Sequence, residues 1–196
     1  MKTDIVLAGV GGQGILSIAT VIGLVAVNNK LNIKQAEVHG MSQRGGSVYS
    51  HLRLSDQPIA SDLIPVGKAD IVLSVEPMEA LRYIPYLAPG GWLVTNTHPF
   101  VNIGNYPDQQ ALMERLNVLQ NKVLVDADAL VLECGNAKAS NMVMLGAAIP
   151  FLNMEVRDVE KAIMSIFERK GEEVVAMNIR ALQAGYRMAM GVKNDR

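Results

Sequence analysis

Asp4-Ile-Val-Leu-Ala-Gly9-Val-Gly11-Gly-Gln-Gly14 decides the fold of this chain. A short apolar run bounded by turn residues reads as a buried β-strand. Glycines follow at once, and a helical period then runs from Ile15 to Asn29, with Ile15, Ala19, Ile22 and Ala26 on one face. Gly9 to Gly14 fits G-x-G-x-x-G in the strand–turn–helix context the pattern requires. Glycine permits positive φ and close backbone approach, and a helix N-terminus offers unbonded N–H groups with about half a positive charge. Two readings stand side by side: a loop that holds a phosphate or carboxylate, and a tight turn whose glycines only permit close packing. A dinucleotide site needs in addition an acid about 20 residues onward, at the tip of the second strand. Glu37 is followed by Val38 and His39, so it falls inside that strand and reads as an exposed side chain.

Outward from this stretch, strands alternate with helices. Ile33–His39 and Ser47–Leu54 read as strands, and the second alternates with Val48, Ser50, Leu52 and Leu54 on one face and Tyr49, His51 and Arg53 on the other. The link between them is too short for a crossover helix, which predicts antiparallel pairing. Asp70–Val75, Trp92–Asn96 and Val123–Asp126 read as further strands, and a helix starting at Pro77 separates the first two of these. Pro107 and Asp108 open a helix with Leu112, Leu116 and Leu119 inward, and Ala127–Glu133 is a short helix. Helices over Asn141–Leu152, Val156–Arg169 and Glu173–Met190 finish the chain, the last with Val175, Ile179, Leu182, Tyr186 and Ala189 as its apolar stripe. The expectation is a single Rossmann-like three-layer α/β domain over residues 1–196, with a mostly parallel sheet, some antiparallel pairing and a helical C-terminal segment.

Composition narrows the function. Of 196 residues 49% are hydrophobic and 19% charged, which excludes a disordered tail. Lys+Arg total 18 against Asp+Glu 19, so no basic stripe is available for nucleic acid. The longest nearly apolar stretch, Met142–Leu152, contains Pro150 and falls short of the roughly 18 residues of a membrane span. Met-Lys-Thr-Asp leads straight into the first strand without a secretory hydrophobic region, so a cytoplasmic location is expected. The one cysteine, Cys134, allows no internal disulfide, and an iron–sulfur cluster normally needs about four thiolates. Eleven methionines suit either an adaptable core or a surface buried against a partner.

A second motif, Val38-His-Gly-Met-Ser-Gln-Arg-Gly-Gly46, lies between two strands. Arg44 among small residues suits an anion clamp, because its planar fork matches phosphate or carboxylate oxygens; a loop arginine capping a helix C-terminus is the alternative. His39, His51 and His98 show no metal spacing, and His51 is expected on a polar strand face. Glu76 and Glu79 bracket a helix start, where a favourable interaction with the helix N-terminus is expected over catalysis. Asp126 and Asp128 suit capping, and Asn96, Thr97 and His98 end a strand where α/β sheets bind ligands. Cys134 reads as an inert thiol.

GVGGQG at 9–14, EVHGMSQRGGSV at 37–48, SDLIP at 61–65 and ADIVLSVEPMEALR at 69–82 together resemble the gamma-type domain of 2-oxoacid:ferredoxin oxidoreductases. The resemblance extends over most of the chain, and the HGMSQRGG form is most similar to the small (beta) subunits of the indolepyruvate branch. The resemblance implies oxidative decarboxylation of indolepyruvate and other aryl pyruvates to the acyl-CoA with reduction of ferredoxin. It implies that this chain is a non-autonomous subunit binding no cofactor alone. Thiamine diphosphate, Mg and 4Fe-4S clusters would sit on a large (alpha) partner subunit, with CoA as co-substrate and ferredoxin reached through the complex. Gly9, Gly11, Gly12, Gln13 and Gly14, with Ser42, Gln43, Arg44, Gly45 and Gly46, become candidates for binding substrate, CoA or another anion. No catalytic residue and no metal ligand is assigned. A gamma subunit of the pyruvate or 2-oxoglutarate enzymes, a freestanding NAD(P)-binding module and a purely structural stabiliser remain the alternatives.

Overall fold

The computed structural model describes residues 1–40, 45–101, 103–134 and 139–194. Among them six strands form one sheet in the order β2-β3-β1-β4-β5-β6. These are β1 (Lys2–Val10), β2 (Asn32–His39), β3 (Ser47–Ser55), β4 (Ala69–Ser74), β5 (Leu87–Asn96) and β6 (Lys122–Val125). β1, β4, β5 and β6 pair in parallel, while β3 runs antiparallel to both β1 and β2. The predicted antiparallel β2–β3 pair is therefore present, and only β3 runs against the others.

Ile5, Val6, Leu7 and Ala8 of β1 are all 0% exposed, because the sheet is covered on both sides. Ile5 and Leu7 face a core shared with helices α1 (Ile15–Asn28), α4 (Ala127–Glu133), α5 (Ser140–Ala148), α6 (Val156–Phe167) and α7 (Glu172–Asn194). Val6 and Ala8 face a smaller core under α2 (Pro77–Tyr83) and α3 (Gln109–Asn117). Pro77 stands at the start of α2 as the sequence predicts, and Asp108 and Asp126 cap α3 and α4 by accepting from the N–H groups of Ala111 and Ala129.

Three expectations change. His51 is buried, 3% exposed, instead of lying on a solvated strand face. The reason is the 56–68 segment, which folds back over β3: His51 Nδ1 accepts from the Ile64 N–H at 2.9 Å, and the ring packs on Tyr49 and Tyr86. β5 begins at Leu87, upstream of Trp92, because Leu87 already pairs with Ala69 and the register slips across Ala88–Gly91. Gly91 makes this possible, since a Cβ there would stand 2.9 Å from the Ala69 carbonyl oxygen. On α7 Leu182 and Ala189 of the predicted stripe are buried, but Val175, Ile179 and Tyr186 are only partly so, and the buried face is completed by Asn178, Ala181, Ala184 and Gly185. Small residues let α7 cross α5 closely: a Cβ on Gly185 would lie 1.9 Å from the Val143 carbonyl oxygen, and one on Gly146 1.9 Å from that of Leu182.

Candidate functional site

The glycine turn stands at the carboxyl end of β1, in the middle of the sheet. Gly9 serves packing, since a Cβ there would be 2.4 Å from Val75 Cγ2. Gly12 (φ +102°) has nothing within 4 Å of where a Cβ would go, so its glycine answers a backbone conformation open to one side. Gly14 is left-handed at the N-cap of α1 and abuts Asn141, whose Nδ2 donates to the Gly14 carbonyl at 3.3 Å. Gln13 folds back on the turn: its Oε1 accepts from the Val10 N–H at 2.8 Å and its Nε2 donates to the Val75 carbonyl at 3.5 Å. The close-packing reading of the turn thus holds at Gly9, while Gly12 has open space beside it.

The two glycine motifs meet. Antiparallel pairing of β1 with β3 sets Val10 opposite Ser47. The Gly11 N–H then donates to the Gly46 carbonyl at 2.8 Å and the Gly45 N–H to that of Gly11 at 3.3 Å. Ser42, Gln43 and Arg44 lie outside the described residues. His39, at the end of β2, pairs with Glu37, and Glu37 also accepts from Gln35 Nε2. Glu37 lies inside β2, short of the strand tip where a ribose-binding acid would stand.

Beside the turn opens a cleft of about 710 Å³. Gly12, Gly14 and Ser17 stand on one side; Ser140 and Asn141 of α5 and Phe167, Lys170 and Met177 are among the residues on the others. Lys170 Nζ stands 5.1 Å from the Phe167 ring centroid, a cation beside an apolar wall. On the other side of the turn a recess of about 250 Å³ runs between Ile15, Leu16, His39 and Val48. No sequence motif marks Ser140, Lys170 or Met177; they arrive from the C-terminal helices by folding alone.

Further along the same edge, Asn96 is a hub: its Nδ2 donates to Asp128 at 3.2 Å, and its Oδ1 accepts from the N–H groups of His98 and Ala127. Asp128 thus supports the strand end, and Asp126 is the cap. Glu76 and Glu79, 0% and 2% exposed, are more deeply buried than helix-terminal acids usually are. Burial pushes the Tyr83 hydroxyl up to about 12, with the Ser47 hydrogen bond pulling it down and the Glu79 and Tyr49 charges adding to the rise. The Tyr106 hydroxyl is raised too, by burial first and then by its hydrogen bond and charge contact with Glu76. Among the described residues no group of three His, Cys, Asp or Glu is placed to hold a metal ion, and no helix is long and apolar enough to cross a membrane.

A central glycine turn at the carboxyl edge of a mixed six-stranded sheet, beside a cleft lined by both polar and apolar groups, defines an open α/β domain with its cleft at the edge where such sheets generally receive ligands. Residues 4–188 match the family described as Pyruvate ferredoxin/flavodoxin oxidoreductase, and the chain belongs to that family. It is 36% identical over 199 residues to the indolepyruvate oxidoreductase subunit IorB of Archaeoglobus fulgidus, covering 97% of this chain and 96% of that protein. It is 30% identical to the 2-oxoglutarate synthase subunit KorC of Methanothermobacter marburgensis, covering 97% and 98%. The fold matches pyruvate oxidoreductase subunit PORC of Thermotoga maritima with a TM-score of 0.73 at 21% identity, covering 95% of this chain and 96% of that one. It also matches the 2-oxoglutarate:ferredoxin oxidoreductase of Magnetococcus marinus, solved with 2-oxoglutarate, coenzyme A and succinyl-CoA bound, with a TM-score of 0.77 at 21% identity. There it covers 97% of this chain but only 31% of the longer one.

Proposed function

We propose that this chain is the small subunit of an indolepyruvate:ferredoxin oxidoreductase, a gamma-type domain over 1–196 that acts with a large subunit. In this reading the assembled enzyme decarboxylates indolepyruvate and other aryl pyruvates oxidatively, forms the acyl-CoA and reduces ferredoxin. The observation that carries it is the likeness to IorB subunits along almost the whole chain, at higher identity than to KorC. Thiamine diphosphate, magnesium and the 4Fe-4S clusters belong to the large subunit in this reading. A single cysteine does not fit a cluster, and Asp4, Glu79, Asp108 and Asp126 are engaged in an ion pair, a strand anchor and two helix caps.

This chain's part is to bind and orient an anion. A cleft of about 710 Å³ exceeds what a keto acid fills and suits a larger ligand. The phosphate-bearing part of CoA fits its chemistry: backbone N–H groups at the start of α1, the Ser17 and Ser140 hydroxyls and the Lys170 ammonium answer phosphate, and Phe167 and Met177 give an apolar wall. Arg44 lies outside the described residues; it directly precedes Gly45, whose N–H is tied to Gly11, and its planar guanidinium has the chemistry to pair with an anion.

The test is co-production with the large subunit and an indolepyruvate- and CoA-dependent viologen-reduction assay. Turnover of indolepyruvate is expected, with Arg44→Ala and Lys170→Ala each raising the KM for CoA about tenfold, as loss of one charge-assisted contact does. A complex that turns over only pyruvate or 2-oxoglutarate defeats the substrate assignment. Unchanged KM values for both CoA and indolepyruvate in Arg44→Ala defeat the anion site.

A further inference from the structure

The N-cap and first turn of α2 carry two buried carboxylates, and each reaches past its own helix, Glu79 to the first residue of β3 and Glu76 to the loop between β5 and α3. Glu79 Oε2 accepts from Ser47 Oγ at 2.6 Å and from Arg82 Nε at 3.2 Å. Ser47 directly follows Gly45 and Gly46, the residues hydrogen-bonded to Gly11 of the glycine turn. Glu76 Oε2 accepts from the Glu79 N–H at 2.8 Å, which is the cap of α2. Its other oxygen, Oε1, accepts from the Phe100 N–H at 3.4 Å and from the Tyr106 hydroxyl, two points on the connection from β5 to α3. The backbone of Glu76 is itself pinned, its carbonyl accepting from Ser74 Oγ at 2.6 Å.

Capping a helix needs one oxygen of one carboxylate, and a capping side chain normally keeps its remaining hydrogen bonds with water. Here two carboxylates are removed from water, and beyond the cap they accept from a serine hydroxyl, the Arg82 guanidinium, a tyrosine hydroxyl and a loop N–H. Both loops border the candidate site. Gly45–Ser47 adjoins the glycine turn, and Phe100 shares a recess with Gln13 of that turn. We propose that Glu76 and Glu79 are positioning residues: the N-terminus of α2 clamps the two loops that flank the carboxyl edge of the sheet, and the Glu79–Ser47 hydrogen bond sets the geometry in which the glycine turn meets its anion. The link to substrate rests on the anion site proposed above; the clamp itself does not.

The experiment uses the assembled two-subunit enzyme with Ser47→Ala, Glu79→Ala, the double variant and Glu79→Gln. Ser47→Ala and Glu79→Ala are each expected to raise the KM for CoA five- to twentyfold with kcat within twofold. The double variant should be no worse than the worse single one, because both act through one bond. Glu79→Gln, whose amide oxygen still accepts from Ser47, should restore the KM to within about twofold. If Glu79→Ala does not assemble, Ser47→Ala and Glu79→Gln carry the same contrast. Amide hydrogen exchange at Gly11 and Gly45 supplies a readout without substrate, and Ser47→Ala should accelerate it at least tenfold with global stability retained. Unchanged exchange and unchanged KM in Ser47→Ala overturn the clamp, as do single-variant effects that multiply in the double. Accelerated exchange in Ser47→Ala, with the KM for CoA unmoved by Arg44→Ala and Lys170→Ala, supports the clamp and overturns the anion site instead.

Discussion

Alanine at Gly185 and alanine at Gly191 are the same change on the same helix, and the structure requires them to act in opposite directions. A Cβ on Gly185 would lie 1.9 Å from the Val143 carbonyl oxygen and 2.8 Å from its carbon, against about 3.4 Å for ordinary contact. Both obstacles are backbone, so no side chain can rotate aside, and α5 and α7 must part by about 1.5 Å. A gap of even 0.5–1 Å forfeits roughly a quarter to a half of each dispersion contact. That loss falls on α5, where Met142, Val143, Met144 and Leu145 are all within 1% of complete burial. The overpacking cost sits at the top of the usual range, about 3 kcal/mol, offset by about 1 kcal/mol of helix propensity, for a net loss of about 2 kcal/mol. At roughly 2–4 °C per kcal/mol for a domain of this size, the Tm should fall by about 4–8 °C. A Cβ on Gly191 meets nothing within 4 Å, so only the propensity gain remains, about 0.5 kcal/mol so near the helix end. Urea unfolding followed by Trp92 fluorescence reads this well. Trp92 is the one tryptophan of the chain and stacks on Phe151, just past α5, with ring centroids 4.1 Å apart. Equal shifts for Gly185→Ala and Gly191→Ala would refute the close crossing.

Burial first, then the Arg53 charge, pushes His51 below its ordinary value, with Asp4 opposing. The unfolded chain therefore takes up a proton near pH 6.5 that the folded chain refuses. This contribution to stability is complete above about pH 6.5 and is lost as the pH falls from there toward the lower folded value. Urea midpoints measured from pH 7.5 to 5 should drop less in His51→Gln, which keeps an acceptor for the Ile64 N–H, than in the natural chain. Arg53→Ala should cost about 2 kcal/mol in the same assay, because it takes from Asp4, 0% exposed, its forked partner at 2.8 and 3.1 Å and leaves only Lys2 at 2.8 Å. Arg53→Lys should recover less than half of that, since an ammonium can neither fork to Asp4 nor also reach the Ser61 and Leu63 carbonyls.

Local pattern determined much of this protein. The apolar run into Gly9–Gly14 specified a buried strand, a turn and a helix, because strand period, glycine freedom and helix period are properties of neighbouring residues. The short link between β2 and β3 specified their antiparallel pairing for the same reason, and Pro77, Asp108 and Asp126 marked helix starts by their own backbone and side-chain chemistry. What the tertiary structure decided is what meets across long separations. The alternation of β3 located His51 opposite Leu52 but carried no information about the 56–68 segment that buries it. The apolar stripe Val175–Ile179–Leu182–Tyr186–Ala189 found Leu182 and Ala189 but not Gly185, because close helix crossing selects the smallest residues, Gly146 and Gly185. The glycine turn and Gly45–Gly46 were separate motifs in the sequence, and only the β1–β3 register brings them into hydrogen bond. Lys170 and Ser140 reach the cleft through the packing of helices onto the sheet, and Glu76 and Glu79 gain their second role from loops that close over them. Such contacts follow from burial shared among distant segments, a quantity with no period to read along the chain.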